Sequence, residues 1–164
     1  MVQSSDKETK IKLSLPEATE KIKRWCAYQE RCQFETRQKL YEYGLNTTDV
    51  NDIIASLISE NFLNEERYAA TFARGKFKIK HWGKIKIKLE LKSRGISDYS
   101  IKKALKEIDE GEYILTLEQL LNKKNKGLAE KNEYKRRHKL FAFAAGKGFE
   151  ADIINDYLKK IPEL

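Results

Sequence analysis

The densest concentration of one kind of chemistry in this sequence is a run of cations between positions 74 and 94. The run contains nine basic residues and one acid, Glu90, an excess that equals the +8 net charge of the whole 164-residue chain. A concentrated positive patch attracts acidic partners over about one Debye length, ~8 Å at physiological salt. We therefore predict that a partner's phosphates or carboxylates bind to Arg74, Lys76, Lys78, Lys80, Lys84, Lys86, Lys88, Lys92 and Arg94.

The side chains of this run differ in the contacts they can make. Arg74 and Arg94 are suited to forked, bidentate hydrogen bonds with carboxylate or phosphate groups, whereas the lysines act as less directional charges. Trp82 can stack on a nucleic-acid base, although a place in the core or between helical repeats fits its bulk equally well. A solvated lysine face without any partner is the alternative to a binding surface.

No other set of residues has the spacing of a catalytic or metal-binding site. The sequence contains no glycine-rich phosphate loop, no nucleophile elbow and no metal-ligand pattern, and its carboxylates are scattered among lysines. Cys26 and Cys32 lie six residues apart on one predicted helix, where they point about 240° away from each other and cannot form a bridge. We expect reduced thiols, no metal, no cofactor and no enzymatic activity.

Composition narrows the class of protein. Hydrophobic residues make up 40% of the chain and charged residues 35%, which is compatible with a folded core and much solvated surface. No apolar run approaches the ~20 residues that span a bilayer, and residues 1–15 lack the apolar centre of a signal peptide. These features predict a flexible basic N-terminal tail at residues 1–15 and a cytoplasmic protein without a membrane partner.

An internal repeat predicts the elements that carry the basic run. Gly44, Gly95 and Gly148 each precede an apolar residue, and they are separated by 51 and 53 residues. Apolar residues follow each glycine at offsets six, nine, ten and thirteen, which is the pattern of one helix face. Each glycine therefore predicts a left-handed stop between two helices. The upstream sequence leaves room for one more helix in each repeat.

The repeat predicts an all-α protein of three tandem three-helix repeats in an elongated, curved array. The repeats are expected at residues 16–63, 64–110 and 111–164, and the second carries the basic run. Their first helices are predicted at residues 16–31, 64–80 and 112–126, and the polar stretch at residues 122–132 is predicted as a loop. The predicted N-caps after the glycines are Thr47 or Thr48, Ser97 and Glu150.

Residues 77–92 contain a competing signal. Lysines alternate there with apolar residues, the period of a half-buried strand, and His81-Trp82-Gly83 fits the turn of a β-hairpin. An isolated two-stranded ribbon is marginal in water. The offsets before Gly95 also match those before Gly44, where the segment TRQKLYEY has a helical pattern. We therefore predict helix for residues 77–92.

Residues 64–96, NEERYAATFARGKFKIKHWGKIKIKLELKSRGI, resemble the central repeat of the RecX family. The family pattern is an acidic pair, an aromatic, Phe-x-Arg, a basic stretch, a Gly-basic pair and Leu-x-x-(Lys/Arg)-Gly-(Ile/Val). Here the matching residues are Glu65, Glu66, Tyr68, Phe72, Arg74, the stretch from Lys76 to Lys80, Gly83, Lys84, Leu91, Arg94, Gly95 and Ile96. The segment CAYQERCQFETRQKLYEYGL also resembles the family's opening repeat, and the resemblance covers residues 16–161.

This resemblance implies a non-enzymatic regulator that acts in homologous recombination, DNA repair and the SOS response. Members of the family bind within the helical groove of the RecA–DNA filament and restrain its ATPase and strand-exchange activities, and some also bind DNA directly. The expected partners are thus the RecA filament and single- or double-stranded DNA, and the chain is expected to be a monomer. A stand-alone helical DNA-binding protein is the alternative, and a helical-repeat scaffold for protein interactions is a more distant one.

Overall fold

The computed structural model describes residues 12–161, and between these limits the chain forms helices joined by short loops, without a strand. The all-α prediction is confirmed, and the β-hairpin alternative for residues 77–92 is excluded. Of the predicted tail, residues 1–15, the first eleven residues lie outside the described part of the chain. The helices are α1 (Leu15–Tyr28), α2 (Gln33–Glu42), α3 (Thr47–Ser59), α4 (Glu65–Lys80), α5 (Lys84–Ser93), α6 (Asp98–Lys106), α7 (Glu110–Lys126), α8 (Glu133–Lys147) and α9 (Ala151–Lys160).

A longer helix followed by two shorter ones occurs three times, and we call α1–α3, α4–α6 and α7–α9 the first, second and third triplets. A glycine with left-handed backbone follows the second helix of each triplet, with φ of 83° at Gly44, 73° at Gly95 and 93° at Gly148. A side chain in this conformation costs roughly 1–2 kcal/mol, which glycine avoids. The three predicted helix stops are therefore confirmed.

Hydrogen bonds at the helix N-termini correct one predicted boundary. Ser97 caps α6 through its side chain, and Glu150 occupies the cap position of α9 without such a bond, both as predicted. The cap of α3 is Asn46, whose side-chain oxygen accepts a 2.9 Å bond from the third helical N–H. Thr47 and Thr48, the predicted caps, lie inside the helix. Asparagine is a stronger cap than threonine, and here it comes one residue earlier.

The loop predicted at residues 122–132 begins later than predicted, because α7 continues to Lys126. Arg136, on α8, secures the end of that helix. Its guanidinium donates to the side chain and the carbonyl of Asn125 at 2.6 and 2.8 Å, and to the carbonyl of Glu130 at 2.8 Å. The last carbonyls of a helix lack partners within the helix. The polar composition of residues 122–126 therefore reflects an exposed surface rather than a break in the helix.

The chain forms two compact units, divided after Tyr68 within α4. In the N-terminal unit, α1, α2 and α3 pack pairwise around one hydrophobic core. Thr36 interrupts the apolar pattern of α2, yet it is fully buried. Its hydroxyl donates to the carbonyl of Cys32 at 2.9 Å, so the buried polar group is satisfied. The core positions predicted on α3 are all buried, namely Val50, Ile53, Ile54 and Leu57.

The two cysteines lie on different elements rather than on one helix as predicted. Cys26 belongs to α1, and Cys32 is the residue that precedes α2. Both are buried and free. Burial is the main cause that raises the pKa of each thiol. Both therefore stay protonated at neutral pH and are weak nucleophiles.

In the C-terminal unit, the α4–α5 turn lies directly against the α8–α9 turn. The N–H of Gly83 donates to the carbonyl of Lys147 at 2.8 Å, and the N–H of Ile85 donates to the carbonyl of Gly148 at 3.0 Å. A Cβ on Gly83 would lie 2.2 Å from the Gly148 carbonyl atoms, and a Cβ on Gly148 would lie 2.3 Å from the Cβ of Lys86. Both positions therefore require glycine, and their contact fixes where α5 begins.

A buried tyrosine also stabilises this contact between the α4–α5 turn and the α8–α9 turn, which we call the junction. The hydroxyl of Tyr113 donates to Glu150 Oε2 at 2.5 Å and accepts a bond from the backbone N–H of Lys84 at 2.9 Å. The centre of its ring lies 5.0 Å from that of Phe149 and 5.7 Å from that of Phe77. Burial, together with the bond to Glu150, raises the pKa of the tyrosine, so the hydroxyl remains a donor. One side chain thus links α4, α5, α7 and α9.

The N-terminal unit contains a tyrosine in an equivalent position. Tyr68 is the fourth residue of α4, as Tyr113 is of α7, and its hydroxyl donates to Glu35 Oε1 at 3.3 Å near the start of α2. In both cases the first helix of one triplet reaches the N-terminus of the second helix of the preceding triplet. This 45-residue spacing is a second repeat signal, which the pattern of apolar residues did not show.

Replacing Gly148 with alanine is expected to lower the free energy of unfolding by more than about 2 kcal/mol, because the methyl group adds a clash to the left-handed strain. Gly95→Ala, whose added Cβ meets no atom within 4 Å, should lose only about 1–2 kcal/mol. Gly146→Ala, in an exposed turn of α8, should instead gain about 0.5–1 kcal/mol. Denaturant unfolding of the three proteins measures these differences. Equal losses at Gly148 and Gly95 would contradict the close backbone contact.

Replacing Tyr113 with phenylalanine is expected to lower the free energy of unfolding by about 1–3 kcal/mol, because the half-buried N–H of Lys84 and the carboxylate of Glu150 lose their shared partner. Tyr134→Phe is the matched control, since that ring is 80% exposed and its change should stay within about 0.5 kcal/mol. Thermal and denaturant unfolding provide the comparison. A Tyr113→Phe protein as stable as the control would show that the hydroxyl does not hold the junction.

Candidate interaction surface

The nine predicted cations lie on two consecutive helices of the second triplet and are not equivalent. Residues four apart share a helix face, whereas residues two apart point to different sides. Along α4, Arg74 and Lys78 therefore share one face, and Lys76 and Lys80 share another. Along α5, one stripe carries Lys84, Lys88 and Lys92, and the opposite flank carries Lys86 and Arg94.

Five of the nine cations form ion pairs with carboxylates of the same chain. The N···O distances are 3.4 Å for Arg74–Glu107, 3.5 Å for Lys78–Glu112, 2.9 Å for Lys84–Glu110, 3.0 Å for Lys92–Asp98 and 2.6 Å for Arg94–Glu90. Exposed pairs of this kind contribute about 0–1 kcal/mol. They lower the local positive charge, yet most of them can exchange for contacts with a partner.

Lys84 differs from the other four paired cations because it belongs to the junction. Its side chain is only 19% exposed, and its ammonium nitrogen lies 4.6 Å from the ring centre of Tyr113 as well as against Glu110. Its backbone N–H is bonded to the Tyr113 hydroxyl. Reversing its charge would therefore disturb the contact between the second and third triplets. The structure gives Lys84 a structural role within the chain, whereas its predicted partner contact stays a prediction.

Three cations, namely Lys76, Lys86 and the ion-paired Arg94, lie against two aromatic rings in a continuous row. The Lys76 ammonium nitrogen lies 5.2 Å from the ring centre of Phe72 and 4.9 Å from that of Trp82. The Lys86 nitrogen lies 4.5 Å from the Trp82 ring, and the Arg94 guanidinium 5.0 Å from the Phe72 ring. Each such contact is worth about 0.5–1 kcal/mol at an exposed site. We call these five residues the cation–aromatic row.

Trp82 is half-buried in this row and is not a core residue. Trp82 follows His81, whose backbone is left-handed with φ of 52°. The backbone N–H of Trp82 donates to the carbonyl of Lys76 at 3.2 Å. Gly83, the next residue, is bound to the α8–α9 turn. The indole is thus positioned by a turn that is fixed on both sides. Its predicted stacking on a base stays a prediction.

The remaining two predicted cations, Lys80 and Lys88, are exposed and have no ion pair or hydrogen bond to any residue between 12 and 161. The structure also shows features that the sequence interpretation missed. Phe72 joins the row, and the acidic run EIDEGE, residues 107–112, neutralises part of the basic run. That acidic run is visible in the sequence, but only the return of α7 towards α4 and α5 gives it this role.

The sequence-based expectations about metal sites and membrane spans can be compared with the part of the chain that is described. Among residues 12–161, no group of three or more histidine, cysteine, aspartate or glutamate side chains is placed to hold a metal ion. No helix in the same part of the chain is long and apolar enough to cross a bilayer.

Two family models match this chain, and both describe RecX. The second three-helix domain of RecX matches residues 64–105, and the third three-helix domain matches residues 112–158, together more than half of the chain. The first of these segments contains the cation–aromatic row and all nine predicted cations.

Curated relatives give the same result. The regulatory protein RecX of Clostridium perfringens (strain SM101 / Type A) is 32% identical over 129 residues, 77% of this chain and 60% of that protein. The regulatory protein RecX of Bacillus thuringiensis (strain Al Hakam) is 23% identical over 139 residues, 85% of this chain and 52% of that protein. The chain thus spans 60% or less of the length of these two relatives.

Solved structures show the same fold. The crystal structure of RecX from Lactobacillus salivarius superposes with a TM-score of 0.79 at 23% identity, covering 89% of this chain and 95% of that one. A second crystal structure, of a regulatory protein RecX, gives a TM-score of 0.81 at 20% identity, covering 89% and 72%. With two three-helix domain models, a relative at 32% identity and the shared fold in agreement, this chain belongs to the RecX family.

Proposed function

We propose that this protein is a non-enzymatic regulator that binds the RecA–DNA filament and restrains its ATPase and strand-exchange activities. The observation that carries the proposal is the concentration of cations on α4 and α5, within a segment that matches the second three-helix domain of RecX. A filament of protein and DNA offers both carboxylates and phosphates to such a surface. The proposed partner places the protein in the cytoplasm, where it would act as a monomer.

The cations best suited to contact the filament are those without strong partners inside the chain. Lys80 and Lys88 are exposed, and Lys76 and Lys86 are held only by aromatic rings. We assign these four the main role. Arg74, Lys78, Lys92 and Arg94 would contribute after exchanging their internal carboxylates. Lys84 would serve the junction instead.

The outward face of α5 supports a protein partner in addition to DNA. Ile85 and Leu89 lie one turn apart and are 45% and 62% exposed, with Lys86 and Lys88 on either side. Phosphate contacts need cations but no exposed aliphatic pair. Protein interfaces commonly place apolar residues inside a polar rim. This mixed face is therefore more suited to a protein groove with acidic edges than to a bare phosphate backbone.

The second candidate is a stand-alone DNA-binding protein, and Trp82 is the observation that favours it. An aromatic ring among cations is a common arrangement for single-stranded nucleic acid, in which bases stack and phosphates meet the charges. A third class, an interaction scaffold, rests on the helical repeats alone. The experiment below separates the three.

We expect inhibition of RecA ATPase on single-stranded DNA at well below one chain per RecA subunit, because a regulator of a cooperative filament acts on many subunits at once. ATP hydrolysis is measured at fixed RecA and DNA while this protein is titrated. Inhibition only in proportion to the DNA covered would favour the DNA-binding alternative. No inhibition at one chain per RecA subunit would leave the interaction scaffold as the remaining explanation.

A triple variant, Lys76→Gln, Lys80→Gln and Lys86→Gln, is expected to need roughly tenfold more protein for half-inhibition, since each lost exposed charge contact is worth about 0.2–1 kcal/mol. The matched control, Lys123→Gln, Lys131→Gln and Lys135→Gln, removes the same charge from exposed lysines of the third triplet and should behave like the parent protein. Circular dichroism verifies the folding of both. Equal inhibition by the two variants would remove both Lys80 and the lysines of the cation–aromatic row from the mechanism.

A further inference from the structure

A groove in the C-terminal unit lies between α5 and α6, outside the cation–aromatic row. It encloses about 690 Å³. The Lys84, Lys88, Lys92 stripe of α5 forms one wall, and Lys102 and Lys106 of α6 belong to the other. The floor is apolar and consists of Ile101, Leu105 and Ile108. Neither Lys102 nor Lys106 lies within the basic run that the sequence singled out.

The ends of the groove are closed by ion pairs, whereas its middle is not. Lys84 is paired with Glu110 at one end, and Lys92 is paired with Asp98 at the other. Between these pairs, three exposed lysines form no ion pair or hydrogen bond within residues 12–161, namely Lys88, Lys102 and Lys106. Five lysines and three carboxylates line the groove in all, and the third carboxylate is that of Asp109. The positive charge is therefore concentrated at mid-groove.

We propose that this groove binds an acidic peptide segment of a protein partner, with an apolar side chain inserted between the helices. The lysine rim would hold the carboxylates of the segment, and the floor of Ile101, Leu105 and Ile108 would hold the apolar residue. Short segments that pair an apolar anchor with a charged rim are a common mode of recognition in helical grooves. The inference goes beyond the proposed function: the groove shares Lys88 and Lys92 with the surface proposed for the filament, but its α6 wall and apolar floor lie outside that surface and add a site for an acidic peptide.

Charge and shape together favour a peptide over nucleic acid. A nucleic-acid strand that entered the groove would have to pass carboxylates at both ends, those of Asp98 at one end and of Asp109 and Glu110 at the other. Its phosphates would gain nothing from the apolar floor. A peptide side chain can enter from above, place its apolar atoms on that floor and leave the ends of the groove unoccupied.

The test uses the full chain labelled with nitrogen-15 and three synthetic probes. The first probe is a peptide of repeated Glu-Leu-Glu-Glu units, the second has serine in place of leucine, and the third is oligo-dT. We expect the leucine peptide to shift the amide signals of Ile101, Lys102 and Leu105, and to bind roughly tenfold more tightly than the serine peptide, since a buried leucine side chain contributes that much or more.

Two variants locate the binding. The first variant combines Lys88→Glu with Lys102→Glu, and both changes lie on exposed helix surface away from the junction. Its affinity for the leucine peptide should fall roughly tenfold or more. The control, Lys123→Glu with Lys131→Glu, carries the same change in charge and should bind like the parent chain.

Three outcomes would overturn the proposal. A serine peptide that binds as tightly as the leucine peptide would reduce the groove to non-specific charge attraction. Oligo-dT that shifts the same amides and displaces the peptide would assign the groove to nucleic acid. Absence of shifts at α6 with the leucine peptide would mean that the groove is not a docking site. Because the test contains no RecA, failure of the filament assay leaves its result unaffected.

Discussion

The close approach of two backbone turns, Gly83 against Gly148, is the constraint on which the rest of the C-terminal unit depends. No side chain separates the turns, so two direct hydrogen bonds join them. The start of α5 is consequently fixed relative to α8 and α9. The hydroxyl of Tyr113 reinforces this arrangement by accepting a hydrogen bond from the backbone N–H of Lys84. Every cation on α5 takes its direction from this anchor. A surface of flexible lysines thereby acquires a defined position on a rigid support.

The same anchor explains why the basic run is less uniform than its composition indicates. Fixing the junction brings the acidic run of residues 107–112 towards α4 and α5, where Glu107, at the end of α6, and Glu110 and Glu112, in α7, pair with three of the nine cations. Charge is thus divided by face. One side is neutralised within the chain, whereas the row containing Lys76, Trp82 and Lys86 keeps its ammonium groups on aromatic rings. Rings attract cations without cancelling their charge, so Lys76 and Lys86 keep their positive charge, whereas Arg94 is also paired with Glu90.

The helical repeat could be predicted from the sequence because its signals are local. A glycine that ends a helix and apolar residues at fixed offsets depend only on neighbours along the chain, and they located the helices around Gly44, Gly95 and Gly148. They even decided correctly for residues 77–92, where the alternation arises because α5 buries Ile87 and Leu91 while exposing Ile85 and Leu89. The predicted cap of α3 lay one or two residues beyond Asn46, and the predicted loop at residues 122–132 began too early although residue 126 was correct as the end of α7, since several polar residues occur at both places.

The partners of the predicted site residues could not be read from the sequence in the same way. The pairing of Lys78 with Glu112 joins residues 34 positions apart and depends on the path of the chain between them. Phe72 entered the sequence analysis only as part of the Phe-x-Arg pattern, and the placement of Lys76 and Arg94 beside it is what gives it a role in the row. The sequence therefore identified which side chains carry charge, but tertiary packing decides which of them remain available for a partner.

The burial of Cys26 and Cys32 has a practical consequence. They are the two cysteines of the chain, and both lie in the N-terminal unit, so a thiol reagent can reach them only when that unit opens. The rate of thiol labelling under native conditions therefore measures the local unfolding of one compact unit against a silent background from the other. The unmodified chain thus carries its own probe for the opening of its N-terminal unit.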